Sequence, residues 1–215
     1  MMKLPYDPEE AVRTLAEADP VMAGLIERAG PLRMEYRAVR TPFEALTRAI
    51  IYQQLSGKAA ATIYGRVAAL FPDGGLHDPA RVRDTPDETL RAAGMSRAKV
   101  AAVKDLAEKT LEGVIPGLEA FRTMDDAEII ARLVTVRGIG TWTAEMFLFR
   151  LGRPDVFPVT DLGVRRGFML AYGRPELPAP TALLAHGERW RPFRSAASWY
   201  LWRAVDLHRA AQTEP

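Results

Sequence analysis

Apolar residues recur at spacings of three and four along most of the chain, which is the periodicity of amphipathic helices. Helical runs of this kind include PVMAGLIERAG, EALTRAIIYQQL, GKAAATIYGRVAALF, RAKVAAVKDLAEKTLEG and PFRSAASWYLWRAVDLHRAA. Only the segment LRMEYRAVR, at 32–40, shows even weak strand alternation. The pattern therefore predicts an all-α fold of roughly nine or ten helices with short connections.

Residues that cap helix N-termini precede most of these runs. The segments Thr41-Pro42-Phe43-Glu44 and Thr85-Pro86-Asp87-Glu88 are both capping boxes with Pro in the first helical position. Further helix starts are predicted at Asp19, Ser56, Ser96 and Asp125. The Pro-rich segment at 173–181 is predicted to be a surface loop.

The composition is that of a globular protein, with 48% hydrophobic residues in 215. The absence of Cys excludes disulfides, cysteine nucleophiles and thiolate-bound zinc or iron–sulfur clusters. The three His are too scattered along the sequence to suggest a metal site. We find neither a membrane-length apolar stretch nor a signal-peptide core, so we expect a cytoplasmic protein that does not bind membranes.

The charge is unevenly distributed along the chain. The formal net charge is only +2, and 24 of the 29 basic residues are Arg. Residues 1–128 hold 17 basic and 20 acidic side chains, whereas residues 129–210 hold 12 and 6. A basic C-terminal part is a modest indication of a polyanionic partner, although charge alone favours a solvated basic face.

The segment Gly138-Ile139-Gly140 predicts a tight turn between a helix that ends near Val134 and one that starts near Thr141. The turn amides and those at the following helix start would be unpaired and suited to a phosphate oxygen, with Arg137 beside them. Ile139 would insert into the core and hold the turn rigid. A plain helix–helix connection is an equal alternative, because Gly-x-Gly is a weak signal.

The surrounding stretch, VRGIGTWTAEMFLF (136–149), resembles the helix-hairpin-helix of the base-excision DNA glycosylases, the HhH-GPD superfamily. In that family an Asp follows the second hairpin Gly by about twenty residues, and VFPVTDLGVRRGF supplies Asp161 at that place. The segments 42–60 and 190–204 are similar to the first core helix and the C-terminal helix of the family. The strongest similarity is to the bacterial 3-methyladenine DNA glycosylase II type.

The resemblance implies two helical lobes with a DNA-facing cleft between them. The expected partition is 41–151, which contains the hairpin, against 1–40 with 152–215. Because the chain begins close to the core helices, the N-terminal β-domain of some relatives is not expected. The implied partner is double-stranded DNA with damaged bases, bound by a monomer. The implied reaction needs no cofactor, although hairpin carbonyls in relatives often hold a monovalent cation.

The resemblance assigns Asp161 the catalytic role of stabilising positive charge on the deoxyribose and orienting water. A helix cap is the alternative for Asp161, and Thr160 is a second candidate for the cap. Trp142 stands where bifunctional relatives carry a Schiff-base Lys, which implies a monofunctional enzyme that leaves an abasic site. Trp142 and Trp202 match the aromatic pocket walls of the family.

Further pocket and DNA contacts are expected by the same resemblance. Met146, where some relatives carry an aromatic residue, belongs to the expected base pocket. Tyr52 and Gln53 are pocket candidates, with core or surface positions as the alternative. Gln54 or Leu55 would fill the hole that base extrusion leaves in the duplex. The expected DNA contacts also include Arg137, Gly138, Ile139, Gly140, Thr143, Ser96, Lys99, Arg165 and Arg166, although a solvated helix face competes for the last two.

The sequence therefore predicts a DNA glycosylase that excises alkylated purines of the 3-methyladenine or 7-methylguanine type. Two alternatives stay open. One is the same scaffold acting on another damaged base. The other is a non-catalytic helix-hairpin-helix module that only binds DNA, against which Asp161 and the aromatic residues argue. Trp190 and Trp199 are also candidates for ordinary core positions.

Overall fold

The computed structural model describes residues 4–34, 39–71 and 76–213, and within these ranges helices are its only regular secondary structure. It contains thirteen α-helices and one short 3-10 helix, Glu188–Trp190, so the expected nine or ten was too low. The α-helices are α1 Pro8–Ala18, α2 Pro20–Ala29, α3 Pro42–Tyr52, α4 Gly57–Ala69, α5 Pro79–Asp84, α6 Asp87–Ala92, α7 Arg97–Leu111, α8 Leu118–Thr123, α9 Asp126–Leu133, α10 Thr141–Arg150, α11 Leu162–Ala171, α12 Pro180–Gly187 and α13 Arg194–Thr213.

The predicted caps determine where several helices begin. Thr41 Oγ1 accepts from the Glu44 amide at 3.1 Å, and the Ser56 and Ser96 hydroxyls cap α4 and α7 in the same way. The prediction for Thr85 was wrong, because α6 begins after Pro86 without a side-chain cap. The Thr85 hydroxyl instead donates to the Arg81 carbonyl at 2.7 Å and closes the end of α5.

Two sequence segments need a separate comment. Residues 35–38, in the middle of the weakly alternating segment 32–40, lie outside the described residues, and the described residues beside them form neither helix nor strand. The predicted surface loop 173–181 is largely exposed, but α12 already begins at Pro180.

The chain forms two compact units, residues 1–37 with 148–215 and residues 38–147. The expected lobes, 41–151 against 1–40 with 152–215, had boundaries a few residues further along the chain, and that partition stays a prediction. Among the described residues, no helix combines the length and the hydropathy needed to cross a membrane.

The unit of residues 1–37 and 148–215 is built around α13. Helices α1, α2 and α11 pack against it. Their shared core includes Leu15, Leu25, Phe168, Trp190, Tyr200 and Leu201. Trp190 is fully buried, which confirms the core alternative for this residue.

The unit of residues 38–147 is built around α7, against which α3, α5 and α6 pack. Its buried side chains include Leu46, Ile50, Val103, Leu106, Phe121 and Phe147. Phe121 and Phe147 meet edge to face, with ring centroids 5.3 Å apart. This packing gives the turns at the ends of α3, α7 and α9 a rigid support.

Candidate functional site

The turn between α9 and α10 forms the predicted hairpin, since α9 ends at Leu133 and α10 begins at Thr141. Gly138 has φ +77°, a value that strongly favours glycine, and a Cβ there would lie 3.4 Å from the Ala102 methyl. Ile139 is only 4% exposed, as expected for a side chain that anchors the turn in the core. The hairpin therefore has a fixed shape.

The hairpin presents unpaired amides to solvent. Within the described residues, the amides of Gly138, Gly140 and Thr141 have no hydrogen-bond acceptor, and all three residues are exposed. The Ile139 amide, by contrast, donates to the Val136 carbonyl at 3.0 Å. Unpaired amides at a helix start favour an anion such as a phosphate. Gly140 has no positive φ and open space around it, so here glycine is not required by backbone geometry.

Two side chains from outside the hairpin hold it, one from the turn after α3 and one from α7. Gln53 Nε2 donates to the Gly138 carbonyl at 3.0 Å and to Thr143 Oγ1 at 3.2 Å, and Asp105 Oδ2 accepts from the Arg137 amide at 2.7 Å. Thr143 is only 5% exposed and its hydroxyl accepts from Gln53, so its place among the DNA contacts stays a prediction. The sequence offered no signal for Asp105, because its partner is 32 residues away.

The turn at the start of α7 differs from the prediction for Lys99. Ser96 caps α7 by accepting from the Lys99 amide at 3.3 Å. The Lys99 ammonium donates to the carbonyls of Ile51 at 2.7 Å and Gln53 at 2.9 Å, and burial lowers its pKa. The expected phosphate contact is therefore corrected to a brace for the end of α3, where the last carbonyls of a helix need donors.

Residues 52–55 form a tight turn after α3. The Leu55 amide donates to the Tyr52 carbonyl at 3.4 Å, and Gln53 has φ −55° and ψ 134°. Gln54 has φ +57°, the only positive φ of a non-glycine residue in the described ranges. These values correspond to a type II turn, which normally prefers glycine at the position of Gln54. Gln54 and Leu55 are both exposed, so each can still be the inserted side chain.

Tyr52 lies in an aromatic cluster on α3 and α4. The Arg48 guanidinium stands 4.1 Å from the centroid of the Tyr52 ring, and the Tyr64 ring meets Tyr52 edge-on at 6.4 Å. The Tyr64 hydroxyl donates to Glu44 Oε1 at 3.1 Å. Burial, together with the Glu44 charge, raises the pKa of Tyr64 to about 12. Arg48 thus occupies one side of Tyr52, whose place in a base pocket stays a prediction.

Asp161 caps the N-terminus of α11 and accepts hydrogen bonds from an amide and an indole. Its Oδ1 accepts from the Val164 amide at 2.8 Å and from Trp202 Nε1 at 2.9 Å. Asp161, and not Thr160, is the N-cap residue. The amide donor and the positive end of the helix dipole both interact favourably with a negative charge at this position. The cap and a catalytic anion are therefore compatible uses of the same geometry.

The loop that leads to Asp161 is fastened to the start of α13. Arg194, which is buried, donates to Asp155 Oδ1 at 2.7 Å and Oδ2 at 2.9 Å, and Arg191 donates to Asp155 Oδ2 at 2.5 Å. The Ser195 hydroxyl donates to the Arg153 carbonyl at 2.6 Å. Sequence reasoning singled out none of these residues, although Arg191, Arg194 and Ser195 lie in the segment 190–204 that carries the resemblance.

The remaining predicted residues lie on α10 and α11. Trp142 is 44% exposed in the first turn of α10, too exposed for a core side chain, and Met146 one turn later is half-buried. Arg165 Nε donates to the Pro178 carbonyl at 3.0 Å, so this arginine braces the loop before α12. Arg166 is exposed. The described residues contain no cluster of three His, Asp or Glu that could hold a metal ion.

The chain is similar in sequence to known proteins over most of its length. Residues 47–192 match the model of the HhH-GPD superfamily base excision DNA repair proteins. DNA-3-methyladenine glycosylase 1 of Schizosaccharomyces pombe is 39% identical over 216 residues, which cover 96% of this chain and 94% of that protein.

Solved structures agree with this assignment. A 3-methyladenine DNA glycosylase of Schizosaccharomyces pombe in complex with abasic DNA is 37% identical with a TM-score of 0.82, covering 90% of this chain and 95% of that one. A DNA-3-methyladenine glycosidase of Bacillus halodurans is 35% identical with a TM-score of 0.85, covering 93% and 91%. The chain therefore belongs to the HhH-GPD superfamily of base excision DNA repair proteins.

Proposed function

We propose that this protein is a DNA glycosylase that removes alkylated bases from double-stranded DNA and uses Asp161 as its catalytic residue. The observation that carries the proposal is the Asp161 carboxylate at the start of α11, held by the Val164 amide and the Trp202 indole. The family membership and the two solved relatives named for 3-methyladenine support the substrate class.

Asp161 acts on the charge that develops during hydrolysis. As the bond between the base nitrogen and C1′ breaks, positive charge grows on the deoxyribose. A carboxylate at about 4 Å offers on the order of 4 kcal/mol at an effective dielectric of about 20, or roughly a thousandfold in rate. Water then bonds to C1′ and loses its proton, which leaves an abasic site. An alkylated base is already cationic, so it departs as a neutral molecule without a strong general acid.

The extruded base needs an aromatic surface, and Trp142 and Trp202 are the side chains we propose for it. Electron-rich indoles attract a cationic purine through cation–π interaction. The exposure of Trp142 supports this role. Met146, Tyr52 and Gln53 stay predicted pocket residues, although the Gln53 amide nitrogen already binds the hairpin. Pocket composition decides the lesion spectrum, so another damaged base is the alternative substrate.

The protein is proposed to lack lyase activity. Trp142 occupies the position where lyases of the family carry their Schiff-base Lys, and an indole cannot form that bond. Treatment with borohydride should therefore trap no covalent complex with DNA, and the released base should leave an unbroken strand. A trapped complex would contradict this part of the proposal.

The hairpin is proposed to bind a backbone phosphate through its unpaired amides, with the exposed Arg137 beside it in the sequence. The exposed Arg166 of α11 is proposed as a further phosphate contact. Gln54 or Leu55 is proposed to fill the gap that the extruded base leaves in the duplex. Replacing each by Ala separately will identify which side chain base release depends on. The reaction as proposed needs no cofactor. A monovalent cation at the hairpin stays a prediction, as do the monomeric state and the cytoplasmic location.

The test is a panel of lesion-containing duplexes treated with the wild type and Asp161→Asn. Wild type should release 3-methyladenine or 7-methylguanine. Asp161→Asn should release neither, yet it should bind DNA as wild type does, because Asn still caps a helix. Full activity in the variant would remove Asp161 from the mechanism. A wild type that binds DNA but releases no base from any duplex would favour the non-catalytic module.

A further inference from the structure

Helices α11 and α13 approach each other at two glycines of α11. A Cβ on Gly167 would lie 1.9 Å from the Leu201 carbonyl oxygen, so the backbones themselves are in contact there. One turn earlier, a Cβ on Gly163 would meet the Trp202 indole at 2.8 Å from Cδ1 and 3.0 Å from Nε1. The distances of 1.9 Å at Gly167 and 2.8 Å at Gly163 are shorter than the approach of a real Cβ atom to another heavy atom. The absence of a side chain at Gly163 is thus what leaves room for the indole.

The same missing Cβ also faces the carboxylate. It would lie 2.9 Å from Asp161 Oδ1, the oxygen that accepts from Trp202 Nε1 at 2.9 Å. A methyl group at Gly163 would therefore press on both partners of one hydrogen bond. The Trp202 ring packs on the Phe149 ring with centroids 5.3 Å apart, so its movement is limited. Whichever partner yields, the hydrogen bond changes.

We infer that Gly163 and Trp202 are positioning residues for the Asp161 carboxylate. Gly163 admits the indole, and the indole Nε1–H fixes the carboxylate orientation in addition to the helix amide. This inference rests on the proposed catalytic role of Asp161. It differs from the expected role of Trp202, since a pocket wall needs only the face of the ring whereas positioning needs its N–H.

The hydrogen bond can be observed directly from the indole N–H signals of the four tryptophans in a ¹H–¹⁵N spectrum. Trp202→Phe assigns one signal by its loss. That signal should lie downfield, as expected for a charge-assisted hydrogen bond, and should move upfield in Gly163→Ala. Gly24→Ala is the matched control, because its Cβ meets nothing within 4 Å. A Trp202 signal unmoved by Gly163→Ala would overturn the inference.

The kinetic consequence is measured under single turnover on a lesion duplex. Trp202→Phe keeps the ring but loses the donor, so its rate should fall by roughly tenfold or more. The rate of Gly163→Ala should fall by a similar factor. The affinity of each variant for an abasic-analogue duplex should stay within about twofold of wild type. Gly24→Ala should keep the wild-type rate. A purely stacking Trp202 predicts instead that Trp202→Phe retains the wild-type rate, and that result would overturn the inference.

The double variant tests whether the two residues act through one contact. If they do, Gly163→Ala with Trp202→Phe should be no slower than the slower single variant, within about threefold. Rate losses that multiply would contradict a shared contact. Should Gly163→Ala fail to fold, the rate of Trp202→Phe alone decides. Full activity in Asp161→Asn would contradict the proposed catalytic role of Asp161. The Trp202 indole signal would still show whether Gly163 controls the hydrogen bond between Trp202 and Asp161.

Discussion

Three side chains expected at the DNA or the base have hydrogen-bond partners within the protein. Lys99 donates to the end of α3, and Gln53 donates to the hairpin carbonyl and to the buried Thr143. A Lys, a Gln or a Thr near a turn has the same appearance in a sequence whether its partner is a phosphate or a carbonyl. The partner is set by residues 46 to 90 positions away, which no local pattern encodes.

Asp19 combines a local contact and contacts to residues distant in sequence within one carboxylate. Its predicted cap is present, since Oδ1 accepts from the Val21 amide at 3.0 Å. Its Oδ2, however, accepts from Tyr172 at 2.5 Å, His186 Nε2 at 3.1 Å and Trp190 Nε1 at 3.2 Å, and the residue is only 2% exposed. The local half of the interaction was predictable, and the buried half was not.

This cluster should make the protein sensitive to acid. Burial opposes ionisation of Asp19, but hydrogen bonds from Tyr172, the Met22 amide, His186 and Trp190 outweigh it and lower its pKa. Burial, aided by Arg189, lowers the pKa of His186 despite the Asp19 carboxylate. In both cases the unfolded chain binds protons more readily than the folded one, so the free energy of unfolding falls as pH falls.

The two groups act in different pH ranges. Protonation of His186 lowers the free energy of unfolding only below the ordinary His pKa of 6.5. Protonation of Asp19 does so only below the ordinary Asp pKa of 3.8. Each tenfold difference in proton affinity is worth about 1.4 kcal/mol, or about 3–6 °C in Tm for a chain of this size. His186→Gln should flatten the fall in Tm between neutral pH and about pH 5, measured by calorimetry. His208→Gln, outside the cluster, is the control, and an unchanged profile in His186→Gln would refute the assignment.

At the scale of elements, the sequence predicted the long helices better than the short ones. Helices α3, α4, α7 and α11 begin where their caps indicated. The predicted list lacked α1, α5, α8 and α12. Of these, α5 and α8 have only six residues each and show less than two turns of periodicity. Helices this short are stabilised by packing against the rest of their unit, and local sequence does not show such tertiary contacts.

Helix packing also decides the effect of replacing glycine by alanine. At Gly167 the new methyl would collide with the Leu201 carbonyl, so Gly167→Ala should lower the free energy of unfolding by about 3 kcal/mol or more. Gly24→Ala, in the open interior of α2, should raise it by about 0.5–1 kcal/mol, because Ala is the better helix former. Urea unfolding measures both, and changes of the same sign would contradict the packing of α11 on α13.

At the scale of the whole molecule, the resemblance predicted the family from the order and spacing of a few motifs. The hairpin, Asp161 and the C-terminal helix are each recognisable because backbone geometry restricts the residues that fit. The braces behind them, Asp105 at the hairpin and Asp155 with Arg194 before Asp161, were not recognised. Any residue whose polar or charged group comes within hydrogen-bonding distance could serve as the partner of such a brace. The sequence alone therefore does not identify the pair.

The charge gradient of the chain leads to the last prediction, on DNA affinity and salt. Each phosphate contact contributes about 0.9 to the slope of log affinity against log salt concentration. Arg166 is exposed in the basic stretch 129–210, so Arg166→Ala should lower the slope by about one. Lys99→Ala should leave the slope unchanged, because its ammonium already binds the carbonyls of Ile51 and Gln53.

The measurement is fluorescence anisotropy on an abasic-analogue duplex between about 50 and 200 mM salt, with Arg13→Ala, an exposed arginine of α1, as the matched control. Arg13→Ala should keep the wild-type slope, since α1 lies in the part of the sequence with more acidic than basic residues. An unchanged slope for Arg166→Ala would assign Arg166 to a solvated helix face. A lowered slope for Lys99→Ala would mean that DNA draws the ammonium away from α3, because only a cation that neutralises a phosphate releases a counterion.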